Sequence, residues 1–322
     1  MLEVGLKKLL VFILWLALFP FLSGCDTIEA NASPVAPGHL VMERITLPAQ
    51  FENWDGSRYM VNLDALVVRP DDNQVHPLAV INHGYEPINH GSMSLDEFQG
   101  RAMEFARRGW VAVAFTRRGY GGSGGRFVEK IRDWSRPALV RVGQIPAEDI
   151  REAVRLMGQK SYVDASKVIA VGISGGGYAT IALAANPPPG LVAAINFAGG
   201  EGTSAPTLTD RVQENLAKAA ATFGKTARVP MLWIYAENDH IATQAMAKQM
   251  FAAFTKAGGN AEFIAAPSFT TYKNEGHFLF RYGISVWAPY VDAFLEKQGL
   301  KLQDGLISVS NMRIVTQSDK QS

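Results

Sequence analysis

From residue 78 onward the chain alternates short apolar runs with longer stretches whose apolar positions recur at helical spacing. The runs at 78–82, 110–115, 167–171, 191–197, 231–235 and 261–265 lack an alternating polar face. They predict strands buried on both sides. Between them, residues 95–108, 147–158, 176–185, 210–223, 243–257 and 285–298 predict helices. Strict strand–helix alternation implies a mostly parallel sheet covered by helices on both faces, an α/β architecture. Ahead of it, 59–69 alternates apolar and polar residues and, with 41–47, predicts an antiparallel hairpin at one edge. Near the end only 306–309 has strand character, and the polar residues beyond it are expected to fray.

The first residues follow a different pattern. Lys7 and Lys8 precede an apolar run, 9–22, that is interrupted by Pro20 and closed by Ser23-Gly24-Cys25. A spanning helix needs about 20 apolar residues, so this shorter run fits the core of an export signal. Leu22-Ser23-Gly24-Cys25 resembles a bacterial lipobox, which implies acylation of Cys25 and a membrane anchor. Asp26 resembles the inner-membrane retention signal of some Gram-negative lipoproteins. The expected organisation is a lipoprotein signal peptide at 1–25, a tether at 26–40, a catalytic domain at 41–300 and a tail at 301–322, exported and held on the periplasmic side of the envelope. Cys25 is the only cysteine, so no disulfide within the mature chain is available and the domain rests on its core.

The formal net charge is +1, and it falls to zero without residues 1–25, which carry Lys7, Lys8 and Glu3. Nucleic acid is therefore not an expected partner, because such binding needs clustered excess base.

Chemistry concentrates at Gly172-Ile173-Ser174-Gly175-Gly176, directly after the run 167–171 and before a helical stretch. This reads as a nucleophile elbow. A serine forced into a tight strand-to-helix turn needs small neighbours two positions before and after it. The spacing does not match a dinucleotide fingerprint, and the glycine-rich loop 119–125 lacks the Gly-Lys-Ser/Thr ending of a phosphate cradle. Paired His or Cys ligands at metal spacing are absent, so neither metal nor other cofactor is expected.

Serine is a weak nucleophile and requires a base and an acid to orient that base. Among the six histidines, His277 lies after the final strand and before the last helix, and it is the best-placed base. Asp239 follows the strand 231–235, at the end where parallel sheets place their sites. Glu237 and Glu275 are rival acids, His240 is a rival base, and a helix-capping role for Asp239 stays open. Oxyanion donors are expected from the backbone N–H of Gly175 and from the loop His83-Gly84-Tyr85, Tyr85 before Gly84, with His83 fixing that loop by hydrogen bonding. The longest connection without a period, 126–144, and the stretch 199–208 are expected to shape the substrate pocket, with Tyr120, Trp134 and Phe278 as candidate wall residues.

His83-Gly84, Arg117-Arg118-Gly119-Tyr120-Gly121, the elbow at Ser174, Asn238-Asp239 and Gly276-His277 together resemble the α/β-hydrolase superfamily. Within it the chain is most similar to dienelactone hydrolase-like and acyl-peptidase-like esterases, over about residues 45–299. The resemblance implies a sheet of about eight strands and a triad in the order Ser174, Asp239, His277. Dienelactone hydrolases proper use a cysteine at the elbow, which points away from lactones and toward general esters. The expected partners are a small-molecule ester and, through Cys25, a membrane. A serine peptidase of the same fold and a non-catalytic envelope lipoprotein are the alternatives.

Overall fold

The computed structural model describes residues Val35–Ala36, 38–131, 133–201, 210–310 and 312–315, all within the unit Pro34–Ser322. Cys25, the leader, most of the tether and residues 202–208 lie outside the described residues.

After β1 (Val35–Ala36), strands β2 (Leu40–Glu52) and β3 (Arg58–Pro70) form the expected antiparallel hairpin, paired from Leu40 opposite Pro70 to Glu52 opposite Arg58. Alternation proceeds through β4 (His76–Asn82), α1 (Gln99–Arg107), β5 (Val111–Phe115), α2 (Arg136–Met157) and β6 (Val163–Ile173). It continues with α3 (Gly175–Ala185), β7 (Leu191–Phe197), α4 (Asp210–Gly224), β8 (Met231–Ala236), α5 (Gln244–Lys256) and β9 (Ala261–Ala266). The short α6 (Leu279–Tyr282), α7 (Ile284–Lys297), β10 (Leu306–Ile307) and β11 (Arg313–Val315) complete the chain.

The main sheet has nine strands in the order β11-β2-β3-β5-β4-β6-β7-β8-β9, parallel except where β3 meets β2 and β5. It is open, and its side chains divide by strand parity. Val80, Val168, Ala170 and Trp233 face the helices α2 to α5, whereas Ala79, Ile81, Ile169, Val171, Leu232 and Ile234 face α1, α6 and α7. Two-sided burial explains why these runs show no polar alternation.

Two expectations are corrected by the structure. Helix α2 begins at Arg136, eleven residues before the expected start, so the irregular part of 126–144 is confined to 126–135. Pro146 inside the helix and Gly143 disguised it. Gly143 is a packing position, since a Cβ there would lie 3.1 Å from both Phe223 and Tyr178 of the neighbouring helices. The tail does not fray throughout: β11 pairs in parallel with β2 and becomes the ninth strand, held by Arg313 donating to both carboxylate oxygens of Asp71 at 2.9 and 3.0 Å. β10 meanwhile pairs with β1 in a separate two-stranded sheet.

One topological fact positions the site. β4 lies between β5 and β6, so the connection after β4 leaves to one side of the sheet and the connection from β5 returns to the other. Crevices form at such switch points, beyond the carboxyl ends of the strands.

Candidate active site

Ser174 follows β6 with φ 56° and ψ −126°, a left-handed conformation that a non-glycine residue adopts only when its surroundings enforce it. The enforcement is visible on each side. A Cβ on Gly172 would lie 2.1 Å from the Gly176 carbonyl oxygen, and one on Gly176 would lie 2.2 Å from that of His83. Backbone is thus packed on backbone. Ser174 N–H donates to the Phe197 carbonyl at 3.0 Å, and Tyr178 N–H donates to the Ser174 carbonyl at 2.9 Å, which pins the turn from both ends. Ser174 is the N-cap residue of α3, yet its hydroxyl makes no capping bond. Serines at that position ordinarily cap. Here the hydroxyl is left available.

The loop after β4 lies against this elbow. A Cβ on Gly84 would sit 3.3 Å from the Ser174 Cβ and 3.8 Å from its Oγ, and one on Gly175 would sit 2.9 Å from the Tyr85 nitrogen. The structure therefore brings Gly175 and Tyr85 together beside Ser174. Gly175 opens α3, where amides have no partner within the helix and the dipole is positive.

His83 fixes this loop as expected. Its Nδ1 is 2.7 Å from the Gly84 carbonyl oxygen, so Nδ1 carries the proton, and Nε2 accepts from the Arg117 backbone N–H at 3.1 Å. Burial, with the Arg117 charge beside it, holds this imidazole well below its ordinary pKa and therefore neutral.

Asp239 and His277 meet after β8 and β9. The His277 Nδ1 lies 3.0 Å from Asp239 Oδ2 and 3.2 Å from Oδ1, and the Asp239 side chain is fully buried. Oδ1 also accepts the N–H groups of Ile241 at 2.9 Å and Ala242 at 2.6 Å. Asp239 thus organises its own loop and orients the imidazole as well, while α5 is capped by Thr243. The rivals are occupied elsewhere. Glu237 is exposed and accepts from Ser268, and the exposed His240 ring turns to Glu275 at 3.0 Å. Glu275 accepts the backbone N–H groups of both His240 and His277.

The three pocket candidates separate. Phe278 directly follows His277, is half-buried and packs edge-on against Tyr272 with centroids 4.9 Å apart. Trp134 is half-buried against the α2–α5 side of the core, its carbonyl bound to Asn215. Tyr120 is a correction: it is completely buried and its hydroxyl donates to Glu129 Oε2 at 2.9 Å, so it offers a substrate no surface. The loop 119–125 is no anion cradle, because Gly119, Gly121, Ser123 and Gly124 donate their amides to backbone carbonyls. Sequence reasoning missed the ion pair beneath it, Arg117 with Glu129, both buried. The paired arginines were legible, but Glu129 lies in a stretch with no period.

Comparison with known proteins bears on the fold. The family model described as X-Pro dipeptidyl-peptidase (S15 family) matches residues 55–206. No curated protein matches by sequence. Among solved structures, a putative dienelactone hydrolase from Klebsiella pneumoniae is similar over 81% of this chain and 98% of its own, with 17% identity and a TM-score of 0.54. An esterase of Pyrococcus furiosus is similar over 83% and 97%, with 13% identity and a TM-score of 0.56. The acylaminoacyl peptidase of Pyrococcus horikoshii is similar over 82% of this chain but only 43% of its own, with 16% identity and a TM-score of 0.54. The chain has an α/β-hydrolase fold.

Proposed function

We propose that this protein is a serine hydrolase that cleaves carboxylic esters of small or medium size through an acyl-enzyme. The observation that carries the reading is the Asp239–His277 contact. A buried carboxylate that holds Nδ1–H leaves Nε2 as the basic nitrogen, the state a general base must have. In this reading Nε2 of His277 takes the Ser174 proton as Oγ attacks the acyl carbon. The carbonyl oxygen becomes an anion between the N–H groups of Gly175 and Tyr85, and collapse expels the alcohol with the proton from His277. A water then repeats the sequence and releases the acid. Backbone strain at Ser174 supports chemistry over a purely structural scaffold, which would gain nothing from it.

Incubation with a fluorophosphonate probe tests this directly. Labelling should map to Ser174, and Ser174→Ala should lose p-nitrophenyl acetate turnover by roughly 10⁴-fold or more. An unlabelled wild-type protein, or a fully active Ser174→Ala, overturns the assignment.

A second reading, hydrolysis of peptides, is favoured by the family description matched over residues 55–206 and by the acylaminoacyl peptidase likeness. It uses the same residues. A panel that sets p-nitrophenyl esters of graded acyl length against X-Pro and N-acyl p-nitroanilides decides between them by kcat/KM.

We also propose that the enzyme works outside the cytoplasm, tethered through acylated Cys25. Among the described residues no helix is long and apolar enough to cross a membrane. Fractionation of cells expressing the wild type and Cys25→Ser checks the anchor: the variant should leave the membrane fraction.

A further inference from the structure

We propose that Glu129, acting through Arg117, is a positioning residue for the oxyanion hole, because it sets the direction of the Tyr85 N–H. This rests on the serine-hydrolase reading above. The Arg117 guanidinium is completely buried and directs its donors to one carboxylate and two backbone carbonyls. Nε and Nη2 grip the two carboxylate oxygens of Glu129, the latter at 2.8 Å. Nη1 and Nη2 donate to the carbonyl oxygens of His83 at 2.7 Å and Gly84 at 3.1 Å. The Gly84 carbonyl also receives the His83 ring N–H.

The consequence follows from peptide geometry. The Gly84 carbonyl and the Tyr85 N–H share one rigid, trans peptide plane and point in opposite directions. Two donors that hold the carbonyl toward Arg117 therefore turn the Tyr85 N–H away from Arg117. That nitrogen is the one packed against Gly175, and Gly84 is packed against Ser174. A bond on one side of the plane aims a donor on the other.

Glu129 keeps the planar fork in place. Both carboxylate oxygens are bound to Arg117, and Oε2 accepts the Tyr120 hydroxyl as well. Without the carboxylate, Arg117 would be a buried cation with an unsatisfied face, and its planar group would be free to reorient. Glu129 belongs to 126–135, the irregular segment that precedes α2. That segment touches the oxyanion loop at a second point, where the Phe127 ring stacks on that of Tyr85 with centroids 6.3 Å apart. Phe127 anchors it by stacking on His90, with centroids 4.4 Å apart and planes within 7°.

The test compares wild type, Glu129→Gln and Arg117→Lys on p-nitrophenyl acetate, with active sites counted by end-point fluorophosphonate labelling and folding followed by thermal melting. Glutamine keeps the shape and removes the charge. Lysine keeps the charge but cannot serve Glu129 and two carbonyls with one ammonium. A misaimed donor should lower kcat per active site by about 10–100-fold with KM within about threefold. It should weaken a trifluoromethyl ketone inhibitor, whose adduct oxygen occupies the oxyanion hole, by a similar factor. Should Glu129→Gln fail to fold, Arg117→Lys gives the same readout. Folded variants that melt lower but keep wild-type kcat per labelled site overturn the proposal and leave the pair a structural one. A wild type that neither labels nor turns over overturns the underlying hydrolase reading instead.

Discussion

Glu275 accepts the backbone N–H of His277 at 3.1 Å through the same oxygen that accepts the backbone N–H of His240, also at 3.1 Å. One carboxylate thus ties the loop of His277 to the loop of Asp239. Asn238 reinforces the tie by donating to the carbonyls of Phe269 at 2.9 Å and Asn274 at 3.2 Å and accepting the Phe269 N–H at 2.7 Å. Lys273 and Asn274 both sit at positive φ, so the segment before His277 holds a turn that needs such ties.

Glu275 should therefore produce a pH-dependent stability difference. Partial burial opposes its ionisation, but the two amides and the His240 ring outweigh that and hold its pKa below the usual 4.5. A folded-state value below the unfolded one contributes stability above about pH 4.5 that is lost as pH falls through the folded value. The melting temperature of Glu275→Gln should lie below that of wild type at neutral pH and converge with it toward pH 3. Parallel melting curves across that range would refute the assignment.

Asp239 should show two separable effects. Asp239→Asn keeps an acceptor for the Ile241 and Ala242 amides but no longer holds Nδ1–H of His277. Its kcat should fall by about 10³–10⁴-fold with a small change in melting temperature. Asp239→Ala loses the loop bonds too and should melt lower still. Equal melting temperatures for the two variants would mean that the loop bonds contribute nothing.

At the elbow the sign of a Gly→Ala change should depend on what the new methyl meets. Gly176→Ala drives a Cβ to 2.2 Å from the His83 carbonyl, and neither backbone can give way without moving the loop after β4. A loss of about 1–3 kcal/mol or more is expected, with kcat reduced sharply. Gly100→Ala, in α1 with nothing within 4 Å, should stabilise by about 0.5–1 kcal/mol and leave kcat unchanged. Denaturant unfolding and ester turnover measure both.

Asp149 should be among the residues whose truncation costs most. Its buried carboxylate accepts the Arg118 backbone N–H and Nε, each at 2.7 Å, while the Arg118 guanidinium packs 3.7 Å over the Phe51 ring. Asp149→Ala leaves a buried cation without its partner and should destabilise by about 3–5 kcal/mol in urea unfolding. A loss under about 1 kcal/mol would show that Glu148, 3.1 Å away, takes over the charge.

The sequence by itself determined the alternation of buried strands and amphipathic helices, because two-sided burial and helical period are written locally. It also determined the serine elbow, since Gly172 and Gly176 leave a signature at fixed offsets, and it put His277 and Asp239 forward as the candidate base and acid. The long α2 was illegible where Pro146 and Gly143 broke its period, although at Gly143 it is the close packing on α3 and α4 that requires the glycine. β11 was illegible because a three-residue strand acquires meaning only from the β2 edge it covers. Tyr120 read as a pocket aromatic until burial placed it on Glu129. Tertiary structure alone decided that Glu129 reaches Arg117, that Arg117 holds the Gly84 carbonyl, and that Glu275 spans two loops. These are contacts between residues far apart in the chain or without periodic surroundings, so nothing local encodes them; the pairing of β4 with β5 brings Arg117 to the Gly84 carbonyl, and that of β8 with β9 brings Glu275 to His240.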